Sequence, residues 1–295
     1  MLNHVLENNH KITQLNILFD SCCEPENKSE TEFIYQGLAS GKFKFIKTAM
    51  FQSCDFEDPL PIMEILNNES LTGVQFYGCD LSADFGRHVI NQLKSNTNLT
   101  SVVLRQEISK YEMETLRKVL TSNKTLTALI LGAINCDLQP FSETLKSNTT
   151  LKKLTIEYGK KEIACLFTAL KSNQTLQQFS LNIISEFNYS DQLNPEVMHD
   201  LFRSNMTLTN MEILTRPPFA HKYLVHEYTS RNKQLQQTVH NNLIVALFNI
   251  ARQSATSLQL FPSDIWLYIV SHIPGRAYDK ILRNLFDDCT PRKVS

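Results

Sequence analysis

One phrase recurs along the chain, and an internal repeat constrains the fold more tightly than any composition can. It reads Leu93-Lys-Ser-Asn96-Thr-Asn-Leu99-Thr-Ser-Val102-Val-Leu104, then returns from Leu120 through Asn123 to Leu131, from Leu145 through Asn148 to Ile156, and from Leu170 through Asn173 to Leu181. Looser copies run from Leu6 to Ile17 around Asn9, from Ile65 to Phe76 around Asn68, and from Leu201 to Ile213 around Asn205, and a degenerate one runs from Leu38 through Gly41 to Thr48. These copies make eight units.

The anchoring Asn falls at 68, 96, 123, 148, 173 and 205, in steps of 25 to 32 residues. Each unit holds L-x-x-L-x-L, whose last positions alternate as a short strand does, followed by a segment with helical spacing. Tyr111-Glu-Met-Glu-Thr-Leu116-Arg-Lys-Val119-Leu120 shows that spacing, with apolar residues three and four apart. A lone strand-helix unit cannot bury its apolar face. Successive units are therefore expected to stack their leucines into one core, with parallel strands inside and helices outside. The Ser-Asn pair is expected to stop each helix, because Asn tolerates the left-handed backbone of a helix C-cap.

Leu71-Thr-Gly-Val74-Gln-Phe76-Tyr-Gly-Cys79-Asp-Leu81 matches L-x-x-L-x-L-x-x-[NC]-x-L. With L-x-S-N-x-x-L at this period, the chain resembles leucine-rich-repeat proteins of the ribonuclease-inhibitor type. The resemblance implies an α/β horseshoe-like solenoid over residues 1–230. Cys54-Asp-Phe56 and Cys136-Asp-Leu138 keep the C-x-[LF] piece displaced by a few residues, so loop geometry is expected to vary among units. N-x-[ST] at Asn68, Asn123, Asn148, Asn173 and Asn205 is read as the repeat phrase rather than as glycosylation acceptors.

After Ile213, Arg216-Pro-Pro-Phe219 breaks the rhythm, since two prolines cannot continue a helix or a central strand. Asn232-Lys-Gln-Leu235 is a last echo of the phrase. Leu235, Val239, Leu243, Ala246, Leu247 and Ile250 then mark one face of an amphipathic helix, and further helical stretches are expected around 264–272 and 277–286. Residues 231–295 thus read as an α-helical C-terminal cap that shields the open end of the solenoid. Leu260-Phe-Pro262-Ser-Asp264-Ile265-Trp266-Leu-Tyr-Ile269-Val-Ser271-His-Ile273 also resembles the opening helix of an F-box. That resemblance implies a ubiquitin-ligase adaptor docking on Pro262, Ile265, Ile269 and Ile273, with the solenoid choosing the substrate.

Balanced charge, 29 Lys+Arg against 30 Asp+Glu, gives no overall excess to meet a phosphate backbone, so a nucleic-acid or anionic-membrane partner is not expected without a local patch that the totals hide. The apolar runs fall short of the roughly 18 to 20 residues of a spanning helix, and the first residues do not read as a secretory signal. The expected setting is cytoplasmic. Seven Cys without C-x-x-C spacing fit reduced thiols. Nucleotide, hydrolase and zinc-protease motifs are absent, 8 Gly leave little for phosphate-cradling loops, and the eight His are scattered. A non-enzymatic chain without cofactor or metal is expected, acting as a monomer.

What remains is surface. The positions between the leucines of each strand should line the concave face: Gln14 and Asn16; Phe45 and Lys47; Gln75 and Tyr77; Ser101, Val103 and Arg105; Ala128 and Ile130; Lys153, Thr155 and Glu157; Gln178, Ser180 and Asn182; Asn210 and Glu212. Tyr77, Val103 and Ile130 are expected to form an apolar centre with Arg105, Lys153 and Glu157 around it, the layout of a protein interface. Gln75, Ser101, Thr155, Gln178 and Asn182 complete the nominated face. The phrase L-K-S-N-x-T-L, with many Asn, Lys and Ile, is also similar to leucine-rich proteins that intracellular bacterial pathogens inject into host cells. That resemblance implies an effector working in the host cytosol on a host protein.

Overall fold

The computed structural model describes residues 2–18, 28–54, 60–79, 83–159, 163–184, 194–215 and 222–253. Strand and helix alternate throughout. Eight strands, β1 (Gln14–Leu18), β2 (Thr48–Gln52), β3 (Gly73–Tyr77), β4 (Ser101–Arg105), β5 (Ala128–Ile134), β6 (Lys153–Tyr158), β7 (Gln178–Ile183) and β8 (Asn210–Leu214), form one parallel sheet in sequence order. Between them run α1 (Leu2–Asn8, before β1), α2 (Lys28–Ala39), α3 (Leu60–Leu66), α4 (Ala83–Leu93), α5 (Lys110–Ser122), α6 (Gln139–Ser147), α7 (Ala164–Ser172) and α8 (Pro195–Ser204), with α9 (Lys222–Gln253) after β8. Such an open parallel sheet with one helix per strand is a leucine-rich-repeat solenoid. The chain divides into two compact units, Met1–Asn232 and Lys233–Ser295; the second is described here only in the later part of α9.

Register shows why the leucines recur. Val74, Val102, Leu129, Leu154, Phe179 and Met211 are opposite one another along the sheet, as are Phe76, Leu104, Leu131, Ile156, Leu181 and Ile213, and all are buried. From the other side the helices contribute residues such as Leu116, Leu120, Leu145 and Leu170. Each such aliphatic side chain contributes roughly 1.5–3 kcal/mol by leaving water. α5 begins at the N-cap Ser109, whose side chain accepts from the Glu112 N–H while Glu112 reaches back to the Ser109 N–H. This capping box fixes the first turn of α5.

The repeated Asn does something other than the sequence suggests. At Asn123, Asn148, Asn173 and Asn205 the backbone is extended, with φ between -70° and -93°, so no left-handed cap is formed. Their side chains turn inward instead. Asn173 Nδ2 donates to the Leu145 carbonyl at 2.7 Å and to the Asn148 carbonyl at 3.0 Å, while its Oδ1 accepts from the Thr175 and Leu176 amides. Asn123 and Asn205 repeat that pattern on Leu93 and Asn96 and on Leu170 and Asn173. Asn232, in α9, extends the ladder to the Asn205 and Leu208 carbonyls. The amide is chosen because it alone offers two donors and an acceptor at one buried point where a helix and a strand both leave unpaired backbone groups. All these side chains are buried, so the N-x-[ST] sites at 123, 148, 173 and 205 carry inward-facing amides.

The second unit also departs from the sequence reading. Its strand is Thr48–Gln52, not the segment around Phe45 and Lys47, so Met50 and Gln52 take the face positions opposite Gln75 and Tyr77. Phe43 stands where the Asn would be and is fully buried. With this register, Ile46-x-x-Ala49-x-Phe51-x-x-Cys54-x-Phe56 follows the full motif, and Cys54 is no longer displaced. Phe43 stands two residues beyond Gly41, so a phrase anchored on Gly41 is out of frame by two.

Candidate functional site

With Val102 and Leu104 in the core, alternation sends Ser101, Val103 and Arg105 to the opposite face of the sheet. In-register pairing assembles rows from these positions. Ser101, Ala128, Lys153, Gln178 and Asn210 form one; Gln75, Val103, Ile130, Thr155, Ser180 and Glu212 the next; Tyr77 and Arg105 the third, continued by Glu157, Asn182 and Leu214 beyond β5. All eleven nominated residues therefore share one face. The expected apolar centre is thinner than the sequence implies, because Val103 is only 3% exposed and forms the floor between its neighbours rather than a contact surface.

The third row is organised by a bulge. β5 slips register between Leu131 and Ala133, which sets Ala133 opposite Glu157. Gly132 lies in that bulge so close to β4 that a Cβ there would stand 2.4 Å from the Gln106 carbonyl oxygen. Because β5 offers only a methyl group here, Arg105 reaches across a whole strand and its Nη1 donates to Glu157 Oε1 at 2.5 Å. Its guanidinium also lies 5.6 Å from the Tyr77 ring centroid. Tyr77, Arg105 and Glu157 thus form a continuous strip. An Arg held by an aromatic ring and a carboxylate has lost much of its rotamer freedom before any partner arrives.

Beside this strip lies a pocket of about 360 Å³. Seven of the nominated residues line it: Arg105, Ile130, Lys153, Thr155, Glu157, Gln178 and Asn182. Leu154, Phe179, Ser180, Asn210, Glu212 and Leu214 complete the lining. Gln75, Tyr77 and Ser101 lie on the same face outside it. Leu214 escaped the sequence reading, which ended the last strand at Ile213, although continuing the alternation two positions past Glu212 would have found it. Lys153 and Glu212 are exposed and have no ionic partner among the described residues. The pocket therefore holds one internally compensated ion pair and two uncompensated charges of opposite sign.

Hydrogen bonding with Cys79, and then burial, hold the Cys54 thiol far above the ordinary thiol range, and burial does the same for the Tyr35 phenol beside it. Burial likewise pushes the Cys165 thiol up. A protonated, buried thiol is a poor nucleophile. Among the described residues no group of three or more His, Cys, Asp or Glu could hold a metal, and no helix is long and apolar enough to cross a membrane. Pro262, Ile265, Ile269 and Ile273, the positions of the F-box resemblance, lie outside the described residues.

No protein-family model matches the chain, and no curated protein matches it. Among solved structures, the tropomodulin C-terminal domain from Caenorhabditis elegans is 17% identical, with a TM-score of 0.41, over 53% of this chain and 98% of that one. A structure described as leiomodin-1 actin-binding site 2 is 20% identical, with a TM-score of 0.36, over 63% of this chain and 95% of that one.

Proposed function

We propose that this chain is a non-catalytic scaffold that grips a protein partner on the strand-lined face between β3 and β8. The observation that carries this reading is the preorganised Tyr77–Arg105–Glu157 strip running into a pocket with uncompensated Lys153 and Glu212. Tyr and Arg are the side chains that most often anchor protein interfaces, and here both are held in place without being buried. The polar wall of Thr155, Gln178, Ser180 and Asn182 supplies donors and acceptors suited to backbone groups of a bound segment, and Lys153 and Glu212 supply complementary charge for its side chains. An effector working on a host protein in the host cytosol is the finer form of the same reading, supported by the resemblance of the repeat phrase. The ligase-adaptor alternative rests on residues 262–273.

A photo-crosslinking amino acid placed at Gln178, on the face, and separately at Lys118, on an outer helix, tests this. Crosslinks to one protein from position 178, lost on combining Tyr77→Ala with Arg105→Glu, are the expected result. Crosslinks only from position 118, or unchanged by the double variant, would remove the face from consideration. Recovery of a ligase adaptor by residues 233–295 within the full chain, abolished by Ile269→Asp, would favour the alternative.

A further inference from the structure

Net charge near zero conceals a segregation of charge. Immediately before each strand from β2 to β8, one backbone amide donates to the carbonyl of the equivalent residue in the preceding unit: Lys47 to Thr13, Thr72 to Lys47, Thr100 to Thr72, Thr127 to Thr100, Lys152 to Thr127, Gln177 to Lys152 and Thr209 to Gln177, all at 2.7–2.9 Å. This ladder pins every helix-to-strand turn to a single edge of the sheet. In those turns Lys11, Lys42, Lys44 and Lys47 cluster over β1 and β2, and Lys94, Lys124 and Lys152 continue along β4 to β6. All of them are exposed and none has an ionic partner among the described residues. Glu69 is the one carboxylate in the same turns. At about 4.8 Å per strand, the row from β1 to β6 extends roughly 24 Å.

We infer that this edge is a docking surface for an anionic lipid bilayer. The chemistry of the edge separates that partner from other polyanions. Its cations are Lys, which act as hydrated point charges, whereas readout of bases favours Arg in a bidentate fork. Beside them stand hydroxyls, those of Thr72, Thr100, Thr127 and Thr209, each bonded back to the ladder carbonyl, and not the row of stacking aromatics that a single-stranded nucleic acid uses. Among the described residues no helix or strand projects from the edge to enter a groove, because it is made of turns. An extended row of lysines without ionic partners among the described residues, spread over several units, matches instead a surface whose charge is spread in two dimensions, and such juxtamembrane attraction grows with each Lys. The edge is distinct from the strand-lined face, so a protein partner and a bilayer could be held together.

Flotation of the full chain with vesicles of phosphatidylcholine, alone or with about 30% phosphatidylserine, tests the inference. Binding only to the phosphatidylserine vesicles, weakened by added salt, is expected. Lys42→Glu combined with Lys44→Glu and Lys47→Glu should lower the partition coefficient at least about tenfold. A charge-matched control, Lys110→Glu with Lys118→Glu and Lys222→Glu, reverses exposed lysines elsewhere and should leave most of the binding. Far-ultraviolet circular dichroism verifies that both variants stay folded. The inference is overturned if the full chain ignores phosphatidylserine, if control and edge variants lose binding equally, or if oligonucleotides bind the edge while vesicles do not.

Discussion

The second unit and the seventh and eighth units build the same strand-turn-helix from different chemistry. In the later units a helix ends at an Asn with extended backbone, whose buried amide bonds two carbonyls of the preceding unit. In the second unit the helix ends through Gly41 in the left-handed conformation, at φ 70°, and the position of the Asn is taken by Phe43. Gly37 of α2 makes room, since a Cβ there would lie 2.2 Å from the Phe43 ring. Around it Phe33 is 5.9 Å from Phe43, and Phe51 stacks on Phe76 at 5.3 Å. One region is joined by directional polar bonds, the other by aromatic packing. The solenoid requires the buried point between turn and helix to be filled, and either hydrogen bonds or a ring can fill it.

Truncating the ring should break the second unit hardest. Phe43→Ala removes a fully buried side chain and is expected to cost about 4 kcal/mol in urea unfolding. Asn173→Ala removes the side-chain hydrogen bonds of two carbonyls and two amides in the interior and should cost about 3 kcal/mol, with Asn173→Asp failing to restore it because a carboxylate has no N–H to give. A penalty no larger than that of a surface substitution would mean that the ladder is ornamental. Gly37→Ala is expected to cost about 2 kcal/mol through overpacking, and the pair Gly37→Ala with Phe43→Leu should recover part of it, a non-additivity that the Asn units have no means to show.

The smallest difference is one of pH. The Cys54 thiol and the Tyr35 phenol keep their protons when folded, by hydrogen bonding and burial, whereas the unfolded chain ionises near the usual thiol and phenol values of about 8.5 and 10. For these two groups the unfolded state binds fewer protons, so their contribution is full below about pH 8.5 and declines as pH rises beyond it, whereas the Cys79 thiol, lowered by its hydrogen bond with Cys54, acts in the opposite sense below that pH. Hydrogen exchange should show amides of β2 and β3 losing protection at alkaline pH before those of β6 and β7. Cys54→Ala should flatten that decline, and uniform loss across the sheet would assign it elsewhere.

The regular units were legible in the sequence because each supplies its own template: Leu129 predicts Leu154, and Asn148 predicts Asn173. The second unit was not, because Phe43 is an ordinary hydrophobe until its neighbours are known, and Gly41, two residues before it, offers a false anchor for the register. Similarly, alternation along the strands put Tyr77, Arg105 and Glu157 on one face, yet nothing in their spacing says that they touch. That contact depends on the bulge at Gly132 and on a methyl group at Ala133.

The sequence by itself determined the period, the parallel stacking and the face of the sheet that stays open, since burial of periodic leucines permits few other solutions. Only the tertiary structure decided which way the Asn side chains point, that Val103 is floor rather than contact, and that scattered lysines gather on one edge. Those outcomes turn on register between units, and register is a relation between distant segments that no local pattern contains.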